Sequence, residues 1–117
     1  MLTNAQVRKI EAEYFMSGEC HWSEEAISQH KGEWLEKLDR LARGERIDVG
    51  EDMGSCQCGD IAGYVTVKDG VVWCQTSGRY GWQNYDGPAA TCAVPYRVGC
   101  RARQLAMAWQ FATTPLA

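Results

Sequence analysis

The sequence predicts an α+β fold, a helical hairpin and a closing helix laid on a small antiparallel sheet. Three observations point there. Two stretches with helical apolar spacing open the chain, β-branched runs joined by Asp69-Gly70 follow, and an Ala/Leu/Trp-patterned segment ends it.

The first helix is expected to start near Asn4. Thr3 and Gln6 fit a capping box, with Leu2 and Val7 placed as a hydrophobic staple. Val7, Ile10 and Tyr14 fall on one face, and Gly18 supplies the stop. Ser23 is the expected cap of a second helix. Its first turn carries Glu24 and Glu25, the sign favoured at the positive end of a helix dipole. Ile27, His30, Trp34, Leu38 and Leu41 form its stripe, and Gly44 ends it. The short connection from Gly18 to Trp22 makes the two helices antiparallel neighbours. Gly32 lies inside the second helix at a cost of about 1 kcal/mol against alanine, which suggests a close backbone contact there.

Residues 45–60 read as a loop holding a brief strand at Arg46 to Val49. A β-hairpin over 61–76 follows, turning at Asp69-Gly70. Its register sets Val67 opposite Val72 and Val65 opposite Cys74 on one face, with Thr66 opposite Trp73 and Tyr64 opposite Gln75 on the other. Both faces are then partly apolar. Ser77 to Pro88 reads as an aromatic loop, with a third strand inside it or at Ala90 to Val94. The last helix is expected over 99–113, with Ala102, Leu105, Trp109 and Ala112 inward and Pro115 beyond its end. At 117 residues the chain fits one domain, divided into 1–44, 45–60, 61–98 and 99–113.

Composition narrows the function classes. The chain is 45% hydrophobic and 10% aromatic, with a formal charge of −3, so it has the material for a core and is unlike a disordered tail. No run of about 18 apolar residues is present to cross a membrane. The first six residues lack the pattern of a secretory signal, so the expected address is the cytoplasm. Charge is polarised: residues 1–60 hold seven Lys/Arg and thirteen Asp/Glu, while residues 61–117 hold five and two. Glu24, Glu25 and Glu36 on the helical hairpin are therefore candidates for steering towards a basic partner surface, against the plainer reading that they solvate outer helix faces. Arg97, Arg101 and Arg103 cluster at the start of the last helix, where the dipole favours anions. An internal carboxylate such as Asp60 or Asp86 is the leading partner for them, and phosphate the alternative. Direct nucleic-acid binding through this basic patch is the lesser reading at a pI of 5.3.

Six cysteines in a reducing compartment read as thiols or metal ligands before disulfides. Cys56 and Cys58 ahead of a hairpin, with Cys92 and with Cys100 in a helix's first turn, follow the order of a treble-clef zinc module. The C-x-C knuckle and long separation depart from it. Cys74 reads as an ordinary buried thiol. Cys20-His21 and Cys100 are the candidates for a small thiol enzyme, though adjacent turn residues rarely face each other.

The strongest candidate surface is aromatic. Trp73, Tyr80, Trp82 and Tyr85 with Arg79 lie close together in a chain of 12 aromatics, and such residues recur in recognition loops and interfaces. The expected activity is non-enzymatic occupation of a protein partner's surface. The zinc-stabilised nucleic-acid or regulatory module is the alternative and the thiol enzyme the third. A small acidic chain with a Trp-bearing hairpin, Tyr64 to Thr76, and a closing Ala/Trp helix, Gly99 to Thr113, resembles in general build the phage- and mobile-element-encoded anti-defence proteins, anti-CRISPR inhibitors among them. The resemblance carries no diagnostic motif and transfers no residue role; it implies occlusion of a host nuclease or of its nucleic-acid-binding surface.

Overall fold

The computed structural model describes residues 2–12, 19–49, 62–78, 80–81, 84–91 and 96–114; for residues 62, 90 and 96–103 it describes the backbone. Helices α1 (Asn4–Ala12) and α2 (Glu24–Ala42) precede strands β1 (Ile47–Val49), β2 (Ala62–Lys68), β3 (Val71–Ser77) and β4 (Tyr85–Pro88). A 3-10 turn (Ala89–Thr91) leads towards α3 (Tyr96–Thr113). The four strands form one antiparallel sheet in chain order, so the fold is α+β.

Local chemistry sets the helix starts. The Thr3 hydroxyl accepts from the Gln6 backbone at 3.1 Å while the Gln6 side chain accepts from the Thr3 N–H at 2.9 Å, a complete capping box. Leu2 and Val7 are both buried beside it. Ser23 accepts from the Ala26 N–H at 3.2 Å and opens α2. The end of α2 is closed by Gly44, whose φ of 85° is the left-handed region glycine tolerates.

One stripe of each helix faces one face of the sheet. Val7 and Ile10 of α1, Ile27, Trp34, Leu38 and Leu41 of α2, and Leu105 and Ala108 of α3 form a single buried cluster with Ile47, Val49, Val65, Val72 and Cys74. Two polar side chains are drawn into it. Glu11, 3% exposed, accepts the Trp34 indole N–H at 2.8 Å, and the buried Gln104 donates to the Ile10 carbonyl at 3.0 Å, linking α3 to α1.

The hairpin has the expected register throughout, Val67 with Val72, Val65 with Cys74, Thr66 with Trp73 and Tyr64 with Gln75. Asp69 and Gly70 turn it with φ of 53° and 79°, both positive as this turn requires. Gly63 is needed for a different reason. A Cβ there would lie 1.9 Å from the Gln75 carbonyl oxygen, so only glycine lets the strands close at this point.

Two expectations are corrected, and one left between two alternatives is decided. Gly32 makes no close contact among the described residues: a Cβ on it would meet none of them within 4 Å, and the residue is exposed. The third strand expected inside Ser77 to Pro88 or at Ala90 to Val94 lies inside that segment, where Tyr85–Pro88 pairs with β3, and residues 89–91 form a 3-10 turn. The last helix begins at Tyr96, three positions before Gly99.

Candidate functional site

Alternation along the strands decides what faces outward. Helix α3 packs against β2 and β3, and the residues of those strands in the core are Val65, Val72 and Cys74. Their neighbours Tyr64, Thr66, Trp73 and Gln75 therefore point to the opposite face, where all four are half-buried. The register aligns two rows there. Asp48, Tyr64, Gln75 and Asp86 run across all four strands, and Thr66, Trp73 and Pro88 run beside them.

Tyr64 and Trp73 are diagonal neighbours on the two central strands, a relation that separates Cβ atoms by about 7–8 Å. Each ring carries its own cation. The Arg46 guanidinium lies 4.7 Å from the Tyr64 centroid, and the Lys68 ammonium lies 4.5 Å from the Trp73 centroid. The carboxylates of the face are already engaged. Asp48 lies 3.2 Å from Arg46, and Asp86 accepts the Trp73 indole N–H at 2.7 Å. At the hairpin's end Val71 is 49% exposed, and it follows Trp73's side of the strand. The result is an aromatic and aliphatic strip with fixed charges along its rim.

The aromatic cluster expected from sequence is divided by the fold. Trp73 belongs to the outward face, and Tyr80 is 51% exposed beyond β3. Tyr85 turns the other way. It packs against the core, its hydroxyl donates to the Pro88 carbonyl at 2.6 Å, and it lies so close over Gly87 that a Cβ there would meet its oxygen at 2.9 Å. Tyr85 thereby shapes the β4 corner. Arg79 and Trp82 lie outside the described residues. Asn84 ties this corner back to β3, accepting from the Gly78 N–H at 3.0 Å.

The acidic residues also separate. Glu24 is paired with Arg8 at 2.6 Å, and hydrogen bonds from Arg8 and Asn4, with the guanidinium charge, hold its carboxyl below the usual glutamate range. It joins α1 to α2. Glu45 is lowered likewise by hydrogen bonds from Arg43 and Arg40. Glu25 and Glu36 are exposed on α2, and neither has an ion pair among the described residues.

The cysteine readings meet a boundary. Cys56, Cys58 and Cys92 lie outside the described residues, as does the Cys100 side chain, and among the described residues no group of three or more His, Cys, Asp or Glu could hold a metal. The side chains of Arg97, Arg101 and Arg103 on α3 also lie outside them. Cys20 and His21 are turned apart: the thiol is buried while the imidazole is exposed and 3.4 Å from Glu19. His30 stacks on Trp22 with centroids 4.2 Å apart and lies 3.2 Å from Glu33. Beside Cys20, Arg8 and Lys9 line an open groove of about 700 Å³, but Arg8 is occupied by the Cys20 and Trp22 carbonyls as well as Glu24.

Sequence reasoning missed Tyr64, Arg46, Lys68 and Val71 as members of one surface. The hairpin register already placed Tyr64 on Trp73's face; what it lacked was β1, which brings Arg46 across.

Compared with known proteins, the chain matches no family, no curated protein and no solved structure. Among the described residues no helix is long and apolar enough to cross a membrane.

Proposed function

We propose that this protein is a non-enzymatic binding protein that occludes a protein partner's surface, docking through the outward face of its sheet and the Tyr80 corner beside it. The observation that carries the reading is the solvent-facing strip of Trp73, Tyr64 and Val71, rimmed by Lys68, Arg46 and Asp86. An aromatic centre with a charged rim is the anatomy of a recognition surface, and among the described residues the buried core of the sheet lies on the opposite face. Exposed Glu25 and Glu36 on α2 give the same molecule a second, acidic face. A partner held on the sheet would find its approach to polyanions opposed by that field. This is the behaviour implied by the resemblance to anti-CRISPR inhibitors, with a host nuclease complex as target.

The test is quantitative capture from host extract by immobilised protein, with Trp73→Thr and Tyr80→Ala baits alongside. The reading expects a specifically retained protein whose yield falls with both substitutions while the bait stays folded. Undiminished capture by both variants would remove the sheet face from binding.

A further inference from the structure

We propose that Asp86 is a positioning residue of the docking face, holding the Trp73 indole in one orientation before a partner arrives; this rests on the binding reading above. The register shows how. Trp73 lies on β3 between two diagonal neighbours of the same outward face, Lys68 on β2 and Asp86 on β4, since its direct partners are Thr66 and Pro88 while Lys68 pairs with Val71 and Asp86 with Gln75. Both reach the ring. Asp86 accepts the indole N–H at 2.7 Å, and the Lys68 ammonium stands 4.5 Å from the ring centroid. Three strands thus converge on one side chain, a carboxylate fixing its edge and an ammonium covering one of its faces.

The core gives Trp73 no such support. Trp73 is half-buried and lies outside the buried cluster, so its ring would otherwise exchange rotamers in solution, and ordering it on docking would weaken binding. Asp86 is exposed and forms no ion pair among the described residues; the indole N–H is what its carboxylate holds. The second ring is held in a related way. Asp48 lies 3.2 Å from the Arg46 Nε, and the Arg46 guanidinium lies 4.7 Å from the Tyr64 centroid. The two carboxylates and two cations of the face balance, each set on a ring or on the cation beside it. With its one donor engaged, Trp73 offers a partner ring surface and no hydrogen bond.

The experiment reads the Trp73 indole by 15N relaxation in the whole chain, its resonance assigned by its loss in Trp73→Thr. An order parameter of about 0.8 or more at Nε1 is expected for the wild type, falling below about 0.6 in Asp86→Ala and restored in Asp86→Asn, whose amide oxygen still accepts the N–H. Backbone order in β3 and β4 should be the same in all three proteins; its loss in Asp86→Ala would make Asp86 a strand-pairing residue and overturn the assignment. Titrating each bait against the protein captured from host extract should then show about fivefold weaker binding for Asp86→Ala, the effect of ordering one side chain, and wild-type affinity for Asp86→Asn. An indole that is mobile in the wild type, or equally ordered in Asp86→Ala, would overturn the proposal, as would unchanged affinity of Asp86→Ala. The relaxation measurement needs no partner, so its failure leaves the binding reading to the Trp73→Thr and Tyr80→Ala baits, and failure of those baits leaves the indole clamp to be judged by relaxation alone.

Discussion

Gly32→Ala should stabilise the protein, and the sign of that effect is a sensitive test of how α2 is placed. Gly32 lies in the interior of a 19-residue helix, where replacing glycine by alanine is worth about 1 kcal/mol through the smaller backbone entropy lost on folding. A residue buried against a neighbour would offset that gain. Here the added methyl meets nothing within 4 Å among the described residues, at an exposed position, so the full increment of about 1 kcal/mol is expected. For a domain of this size it corresponds to a rise in Tm of about 4 °C. Urea unfolding followed at 222 nm should show a higher midpoint with an unchanged slope. Gly63→Ala is the internal control with the opposite sign: its methyl would lie 1.9 Å from the Gln75 carbonyl oxygen, so β2 and β3 must separate and the cost exceeds about 3 kcal/mol. A Gly32→Ala variant that melts at or below the wild-type temperature would refute the outward placement of α2's middle turn.

Removing the cap hydroxyl with Thr3→Ala should cost about 1 kcal/mol, read as a lowered urea midpoint, because the Gln6 N–H loses its acceptor. Trp34→Phe should cost about 2 kcal/mol by leaving the buried Glu11 carboxylate without its indole donor; if the Trp34→Phe melt matches wild type, that contact contributes nothing. The acid limb of stability should follow Glu24 and Glu45. Both carboxyls are lowered in the folded state, so their contribution is complete above the ordinary glutamate value of about 4.3 and is lost as pH falls through the folded values. Arg8→Gln, which removes the partner of Glu24, should flatten part of that limb in a pH-dependent melt, and an identical acid profile would show the pair to be inert.

Local signals carried most of the fold. Caps, stripes and the Asp69-Gly70 turn are written over three to five residues, so α1, α2 and the β2–β3 register could be read directly. What escaped depended on distant pairing. The sequence allows a third strand inside Ser77 to Pro88 or at Ala90 to Val94 without choosing its place, because β4 contains Gly87 and Pro88, poor strand formers, and forms where β3 offers it an edge. Tyr85 turns inward for the same reason, since opposing Thr76 puts it on the core face. Gln104 and Glu11 were invisible as core residues because their burial is licensed by partners far away in sequence, the Ile10 carbonyl and the Trp34 indole. The outward face was half legible: Trp73 stood out by composition, whereas Arg46 and Tyr64 meet only once β1 is docked on β2.

Footprinting of the captured complex tests the central claim most directly. With carbene labelling and peptide mapping, the account predicts that partner binding shields Tyr64, Lys68, Val71 and Trp73 together, while Leu35 on α2, 44% exposed, keeps its label. Shielding confined to α2, with unchanged labelling across the outward strands, would contradict it.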